Sequence, residues 1–490
     1  MTAEIQHPLS RVFVGPEKTI AICGSHIFTL DSQSGAVETS ATVTSPEKNV
    51  SSVIRIATVD GSYRHLVTSG DDKRLRVWSI HDLKELSCRE IPKRANVIRL
   101  SQAGQSILVA DKFGDIFSYP LIPPEPTPQP PAQPTETSSS KSIAVAMHDN
   151  PHGTLVLGHA SIVTAFVLTH GENQIISADR DEHVRLSWYP EGWDVDQYCM
   201  GHKMFVSALE IPLCAPSILI SGGGDPELYV WEYKTGKNVA RIPVWDRIQP
   251  FLKVKGGRLE KPQGKKKKKK AAAKEKVEED VEMAAELGEE FLVVAKIKQV
   301  RFGGEDVVVF SAVGCSALFY FKWPVSLDFS GVEVCSLDLI HPVTDYAITQ
   351  DGMVWVSVDP TWSHTPGAIS TTPSTDSRRV RRLVWKDGQI VEDESESRLL
   401  QGLNLECDVK GPANEVHTLG LYEPLASLPK TAEFESGDGA DNMSIPLDIT
   451  SGPGLRASAR QKTKEELQKR KALTQEATER ATKQPRVEET

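Results

Sequence analysis

Short apolar runs separated by polar clusters make up most of this sequence. The runs are rich in Val, Ile, Leu, Thr and aromatic residues, and Gly, Asp, Asn and Ser punctuate them. This alternation predicts β-strands joined by turns. Long stretches with the 3.6-residue period of an amphipathic helix are absent from the pattern. The fold class is therefore predicted to be all-β.

Four of the runs are copies of one unit, in which a small residue and an Asp-containing turn precede apolar and aromatic residues. They are SGDDKRLRVWSI (69–80), ADKFGDIFSYPL (110–121), SADRDEHVRLSWYP (177–190) and SGGGDPELYVWEY (221–233). The equivalent positions Leu75, Ile116, Val184 and Leu228 are 41, 68 and 44 residues apart. Without a Pro- and Ser-rich loop the middle interval falls to about 41 to 48 residues, which is the period of β-propeller blades.

Gly-His pairs precede two of these copies. His159 lies 22 residues before Asp181, and His202 lies 23 residues before Asp225. In WD repeats, such a His, a strand Ser or Thr, a turn Asp and a strand Trp form a buried chain of hydrogen bonds. One predicted blade has the complete set: His202, Ser221, Asp225 and Trp231.

Degenerate copies elsewhere bring the count to seven, so the sequence predicts a seven-bladed WD40 β-propeller over residues 1–426. Closing such a ring requires strands from both chain ends. We expect segment 11–28 to pair with strands within 399–422.

Three segments differ in composition from the blades. Residues 123–142 are rich in Pro and Ser, and residues 256–290 place the run Lys265–Lys270 before an acidic block. Residues 427–490 form a charged tail with too few apolar residues for a core-facing stripe. Because these segments can bury little apolar surface, we expect disordered insertions and a tail that is frayed or ordered only by a partner.

The net charge of −10 and the pI of about 5.8 argue against a protein that coats nucleic acid with its whole surface. The sequence has no signal-peptide pattern and no long apolar span, which predicts a soluble protein that does not enter a membrane. Seven cysteines without a C-x-x-C pair favour a reducing compartment. The basic clusters 265–270, 378–382 and 469–471 are consistent with nuclear import, so we expect a nuclear location.

No motif predicts catalysis. The run 222–224 has no following helix to offer its N-terminus to a phosphate, which favours a turn over a nucleotide-binding loop. Cys199 and His202 have no second Cys pair to complete a metal site. The sequence contains no G-x-S-x-G elbow and no fingerprint for S-adenosylmethionine or a nicotinamide cofactor. We therefore expect no catalytic residue, metal or cofactor on this chain.

The turn at 179–185 concentrates six ionisable residues in seven positions. One interpretation is a solvated turn whose ion pairs contribute about 0 to 1 kcal/mol. The other is a recognition surface, because Arg forms bidentate pairs with the carboxylates of a partner.

Two segments carry a resemblance to a known family. LGHASIVTAFVLTHGENQIISADRDEHVRLSWYP (157–190), followed by GHKMFVSALEIP (201–212), resembles the WD-repeat non-catalytic subunit of the eukaryotic tRNA (guanine-N7-)-methyltransferase. IPKRANVIRL (91–100) and ADKFGDIFSYPL (110–121) match in the same order. The combination of ADRDE-x-x-R with GH-x-x-FVS is more distinctive than generic WD positions. The resemblance is strong from about residue 67 to residue 237 and weak elsewhere.

The resemblance implies a heterodimer. A separate Rossmann-type subunit would bind S-adenosylmethionine and form N7-methylguanosine in the tRNA variable loop, while this chain binds and stabilises that subunit. Contact with tRNA would occur mainly through the complex. The resemblance further implies that Arg180, Arg185 and Lys203 pair with carboxylates of the catalytic subunit. Lys93 and Arg94 would face the partner, the RNA or only solvent.

Two other functions fit a propeller. A scaffold or substrate receptor of an unrelated complex, such as a ubiquitin ligase or a chromatin assembly, has the same fold, although the ADRDE-x-x-R and GH-x-x-FVS pair counts against it. A propeller hydrolase requires acids, histidines or metal ligands along the central channel, and no repeated set of that kind is visible. A cationic patch near Arg180, Arg185 and Lys203 is the feature that would favour the subunit role.

Overall fold

The computed structural model is a seven-bladed β-propeller, as the sequence predicted. It describes residues 4–47, 50–101, 104–123, 150, 152–256, 290–365, 368–369 and 376–430. Each blade is an antiparallel sheet of four consecutive strands. Most of the Pro/Ser-rich and Lys-rich insertions, and the tail from residue 431, lie outside the described residues. No helix in the described part of the chain is long and apolar enough to cross a membrane.

The strands of blades 1 to 4 follow one another along the chain, and the first strand of each blade is the innermost. Blade 1 contains β2 (Arg11–Val14), β3 (Lys18–Cys23), β4 (His26–Asp31) and β5 (Val37–Thr42). Blade 2 contains β6 (Ile54–Val59), β7 (His65–Gly70), β8 (Arg74–Ser79) and β9 (Glu85–Glu90). Blade 3 contains β10 (Ala95–Leu100), β11 (Ser106–Asp111), β12 (Asp115–Pro120) and β13 (Thr154–Gly158). Blade 4 contains β14 (Val163–Leu168), β15 (Gln174–Asp179), β16 (Val184–Trp188) and β17 (Val195–Cys199).

Blades 5 to 7 continue the same order. Blade 5 contains β18 (Val206–Glu210), β19 (Ile218–Gly223), β20 (Glu227–Glu232) and β21 (Lys237–Pro243). Blade 6 contains β22 (Val294–Phe302), β23 (Glu305–Ala312), β24 (Ala317–Lys322) and β25 (Cys335–Asp338). Blade 7 contains β26 (Val343–Ile348), β27 (Val354–Val358), β28 (Val380–Lys386) and β29 (Gln389–Glu392). Outside the blades, β1 (Glu4–Gln6) pairs with β30 (Lys410–Pro412).

The helices are short and lie between or after the blades. They are α1 (Trp245–Ile248), α2 (Arg398–Leu405) and α3 (Glu423–Ser427), with 3-10 helices at Gln249–Phe251, Trp362–His364 and Ala413–Leu419. The positions aligned in the sequence repeat, Leu75, Ile116, Val184 and Leu228, all lie on third strands of their blades and are fully buried. The middle two strands of each blade are apolar on both faces because neighbouring blades cover both. The run 222–224 is only partly a turn, since β19 extends through Gly223.

Bulges in the innermost strands tie four of the blades to the blade that follows. In blades 2 to 7 the register of the innermost strand shifts by one residue near its start. A bulged residue has no partner across the strand pair, so its side chain is free to turn elsewhere. Four of these residues donate to a backbone carbonyl of the following blade: Asn96 to Val163, Thr164 to Val206, Ser207 to Val294, and Thr344 to Leu9.

The expected ring closure is wrong in its details. Segment 11–28 belongs wholly to blade 1, and residues 398–405 form α2 instead of a closing strand. The ends meet in the two-stranded ladder of β1 and β30, which has three residue pairs, and Thr344 links blade 7 to blade 1. Arg379 completes the closure, because its fully buried guanidinium donates to the carbonyl oxygens of His7, Leu403, Asn404 and Cys407. These contacts join residues far apart in sequence, so no local pattern indicates them.

Residues 413–430, which we name the cap segment, cross one mouth of the central channel. Arg55 of blade 2 donates to the Leu419 carbonyl at 2.7 Å, and Tyr422 donates to Asp359 of blade 7 at 2.6 Å. Leu425 packs beside Val254 and Val313, on the side of blades 5 and 6. The cap segment therefore extends the packed structure past the predicted domain boundary at residue 426, and Lys430 still contacts blade 4.

Candidate partner-binding surface

Blade 5 holds the hydrogen-bond network around His202. Its Nδ1 lies 2.8 Å from Asp225 Oδ2, and its Nε2 lies 2.7 Å from Ser221 Oγ. Trp231 Nε1 donates to the same Ser221 oxygen at 2.8 Å. The Asp225 carboxylate also accepts the backbone N–H groups of Lys203 and Met204. The network thus fixes the backbone of the loop that carries Lys203.

Blade 4 has the same network without its tryptophan. His159 Nδ1 lies 2.8 Å from Asp179 Oδ2, and His159 Nε2 lies 2.8 Å from Ser177 Oγ. The position that matches Trp231 is Ser187, whose buried hydroxyl has no hydrogen-bond partner within the described residues. The sequence spacing had pointed to Asp181 as the turn aspartate, and the structure gives that place to Asp179.

Asp179 organises the ionisable turn of blade 4. Its Oδ1 accepts the backbone N–H groups of Asp181 at 2.9 Å and His183 at 3.1 Å. Burial by itself would raise the pKa of Asp179, but the hydrogen bond and charge of His159 and the bonds from His183 hold that pKa below its usual value. Burial lowers the pKa of His159, and Asp179 only partly opposes this. The pair therefore holds a carboxylate and a neutral imidazole in the folded protein near neutral pH.

Arg180 and Lys203 lie in two loops on the same face of the propeller, Arg180 in the β15–β16 turn of blade 4 and Lys203 in the loop held by Asp225 of blade 5. Val184 pairs with Cys199, so the turn before β16 and the loop after β17 lie side by side. Arg180 is half-buried in that turn, and Lys203 is exposed in that loop. Met200 is 64% exposed and Met204 is 37% exposed in the same loop. We name Arg180, Met200, Lys203 and Met204 the blade 4 rim.

The composition of the blade 4 rim is typical of protein-binding surfaces. Arg and Met are enriched at protein interfaces, and a solvent-exposed Met offers flexible apolar contact. The methionines were not among the residues singled out in the sequence. A single Met in a loop carries no pattern, and only its exposure beside Arg180 and Lys203 marks it.

Arg185 does not lie on this surface. It is only 9% exposed, and its Nη1 donates to the Gly158 carbonyl at 3.1 Å. Burial lowers the pKa of Arg185, and Tyr198 opposes the shift. The expectation that Arg185 faces a partner is therefore not supported by its position. Its place beneath the Gly158–His159 loop makes it a support for the rim instead.

Lys93 and Arg94 lie in the loop that leads into blade 3. The Lys93 Nζ is 4.6 Å from the centroid of the Phe113 ring. Arg94 pairs with Asp71 at 3.2 Å and with Glu423 of the cap segment at 2.7 Å. Arg94 therefore holds the cap segment to the propeller, whereas Lys93 lies against an exposed aromatic ring.

The acidic side of the blade 4 turn is also occupied from within the chain. Lys430 lies 3.4 Å from Asp181 and 3.2 Å from Glu182. These pairs occupy the two carboxylates that follow Arg180 in the sequence of the turn. Within the described ranges, no group of three or more His, Cys, Asp or Glu side chains is arranged to hold a metal ion.

The chain matches one described family. The sequence model of the tRNA methyltransferase TRM82 WD40 domain matches residues 28–153 and 148–383. The chain is 36% identical over 237 residues to the tRNA (guanine-N(7)-)-methyltransferase non-catalytic subunit trm82 of Aspergillus fumigatus, covering 39% of this chain and 47% of that protein. It is 31% identical over 199 residues to the subunit named wdr4 of Danio rerio, covering 40% and 42%.

These alignments span about half the length of the curated relatives. Among solved structures, the WD40 repeats of RRP9 are similar with a TM-score of 0.49 at 10% identity, over 73% of this chain and 90% of that one.

Proposed function

Because the chain belongs to the family of the tRNA methyltransferase TRM82 WD40 domain, we propose that it is the non-catalytic subunit of a tRNA (guanine-N7-)-methyltransferase. It binds and stabilises a separate catalytic subunit, which carries S-adenosylmethionine and forms N7-methylguanosine in the tRNA variable loop. The two chains form a heterodimer, and tRNA is contacted mainly through the complex.

One observation carries the proposal. The two family-specific segments, ADRDE-x-x-R and GH-x-x-FVS, are separated in sequence but meet at the blade 4 rim, where Val184 pairs with Cys199. Their cations Arg180 and Lys203 lie on the same face, and the exposed Met200 belongs to the loop that carries Lys203. This arrangement fits a partner surface with carboxylates around a small apolar centre.

The fold suits a subunit that activates without catalysing. The hydrogen bonds of Asp179 and Asp225 fix the backbone of both rim segments before any partner arrives, so little conformational entropy is lost on docking. If the rim binds the active conformer of the partner more tightly than the inactive one, each tenfold preference shifts that equilibrium by about 1.4 kcal/mol. No catalytic group is then needed on this chain.

The proposal is tested by reversing the two rim charges together. We expect Arg180→Glu with Lys203→Glu to weaken binding of the catalytic subunit at least about tenfold, because attraction to its carboxylates becomes repulsion. Unfolding of the free double variant is measured alongside, because Arg180 is half-buried and only a folded variant tests the contact. Binding is measured by titration of the purified subunits. The matched control is Lys322→Glu, an exposed lysine on blade 6.

Affinity purification of the chain from its native cells tests the function itself. The eluate should methylate tRNA guanosine with S-adenosylmethionine, and the activity should require a second, Rossmann-type protein. An eluate with neither the methyltransferase nor the activity would contradict the subunit role. Unchanged binding in the double variant, together with normal activity of the eluate, would reject the blade 4 rim as the contact surface. It would leave the subunit role in place.

We also propose a nuclear location. The cluster 378–382 is a poor import signal because Arg379 is buried and Arg381 pairs with Asp376 and Glu392. Lys265–Lys270 and the cluster 469–471 lie outside the described residues and remain as candidate signals. Imaging of a tagged chain with the six lysines changed to Gln tests the first of them, and undiminished nuclear signal would exclude that run.

A further inference from the structure

The central channel of this acidic protein is lined by basic strands. The innermost strands contain six basic residues (Arg11, Arg55, Arg99, Lys296, Lys298 and Arg301) against two acidic ones (Glu210 and Asp345). The whole chain, by contrast, carries a net charge of −10. The channel wall therefore has the opposite sign to the molecule as a whole.

Both carboxylates of these strands are already neutralised. Glu210 pairs with Lys298 at 2.7 Å and accepts the Gln299 N–H at 3.3 Å. Asp345 pairs with Lys296 at 2.9 Å, and that lysine also donates to the Tyr346 carbonyl. Neither carboxylate is left to serve as the main counterion of another cation.

Arg99 is one of the strand cations with which neither carboxylate forms a salt bridge. It is half-buried on β10 of blade 3, and its buried Nε has no hydrogen-bond partner in the described part of the chain. Because β10 is the innermost strand of its blade and Arg99 is only half-buried, the exposed part of this side chain faces the channel.

We propose that the channel binds a small phosphate-type oxyanion, with Arg99 as its principal ligand. An arginine stays charged in proteins and has five N–H donors in a planar fork that matches phosphate oxygens. A partly desolvated guanidinium without a partner is costly, and an anion would relieve that cost. Lys296 and Lys298, on β22 of the same wall, are each paired with a carboxylate and contribute no surplus charge to the site.

The shape of the channel selects a small anion. The cap segment covers one mouth, where Arg55 donates to the Leu419 carbonyl. Arg99 lies near the end of its innermost strand, toward the other mouth, and Lys298 lies at the middle of its own. A polymer such as RNA cannot pass through a channel that is covered at one end, whereas inorganic phosphate or a phosphomonoester can enter from the open end.

Binding is tested on the full chain without any partner, so the result is independent of the proposed function. Inorganic phosphate and adenosine 5′-monophosphate are titrated separately at constant ionic strength, with binding followed by 31P NMR line width and by the thermal unfolding midpoint. We expect saturable binding of at least one of them. Arg99→Gln should weaken it at least about tenfold, because a charge-assisted pair is lost. Lys322→Gln, on the outer part of blade 6, should leave it unchanged.

Arg99→Lys keeps the charge without the fork, and we expect intermediate affinity for it. Preference for phosphate identifies the free ion as the ligand, and preference for the nucleotide identifies a phosphomonoester. Either result supports the site if it depends on Arg99. A linear, unsaturable response to both probes, or binding that Arg99→Gln leaves intact, would overturn the proposal.

Discussion

Blades 4 and 5 contain the same His–Ser–Asp hydrogen-bond network but have different residues at one buried position. In blade 5, Trp231 donates to Ser221 and stacks on Tyr229 with 5.4 Å between ring centroids. In blade 4, Ser187 occupies that position, and the next residue, Trp188, is 41% exposed. A polar network is strongest when every member is satisfied and water is kept out.

The two blades differ in how completely their buried polar networks are satisfied and enclosed. Blade 5 has a complete network sealed by aromatic rings, whereas blade 4 has an unsatisfied hydroxyl inside and apolar residues outside. Of the proposed rim residues, Arg180 lies on the less completely sealed blade 4, whereas Lys203 and Met204 are hydrogen-bonded to Asp225 of blade 5. Segments that contact partners are commonly drawn from the less stable parts of a protein, and blade 5 holds the neighbouring loop in place.

The largest effect is expected from the position at which the two blades differ. Trp231→Ala should lower the free energy of unfolding by about 3 to 5 kcal/mol, since a fully buried ring is replaced by a cavity. The matched change Ser187→Ala in blade 4 should alter it by less than about 0.5 kcal/mol, because that hydroxyl has no partner among the described residues. Denaturant unfolding measures both. Equal losses of unfolding free energy in the two variants would contradict the inference that Trp231 makes the blade 5 network the more completely enclosed one.

A smaller effect distinguishes the two aspartates of the blade 4 turn. Asp179→Ala should cost about 2 kcal/mol, because the N–H groups of Asp181 and His183 and the ring of His159 lose their acceptor. Asp181→Ala removes only a surface pair with Lys430 and should cost about 0 to 1 kcal/mol. Thermal unfolding of the two variants shows which aspartate contributes more to the stability of the fold. A larger loss for Asp181 would restore the assignment made from sequence spacing.

The smallest expected effect concerns the pH dependence of folding stability, to which His159 of blade 4 contributes. Burial lowers the pKa of His159 in the folded state, so below about pH 6.5 the unfolded chain binds a proton that the folded chain does not. Stability should therefore fall as the pH falls from 7 toward 5. His159→Gln should reduce the slope by at most about 1.4 kcal/mol per pH unit.

Unfolding of both proteins at several pH values measures this slope. His7, whose pKa burial also lowers, remains as background in the variant. A slope that His159→Gln leaves unchanged would show that His159 is not the titrating group.

The errors made from the sequence have one physical origin. Linear spacing selected Asp181 because it counts residues without knowing where a strand ends, and β15 runs on through Asp179. The family resemblance implied a partner contact for Arg185, but the resemblance carries no information on burial, and Arg185 is buried. In a propeller both faces of a middle strand are covered by neighbouring blades, so a polar residue on β16 is buried whichever way it points.

The sequence by itself determined the repeat, the number of blades, the place of the insertions between strands and the four residues of the blade 5 network. All of these depend on local strand patterns and on a regular period. Only the tertiary structure decided how the ring closes through Arg379, that the cap segment covers the channel, and that Arg99 is left unpaired in its wall. These features depend on contacts between residues far apart in the chain, which form only when the blades close into a ring.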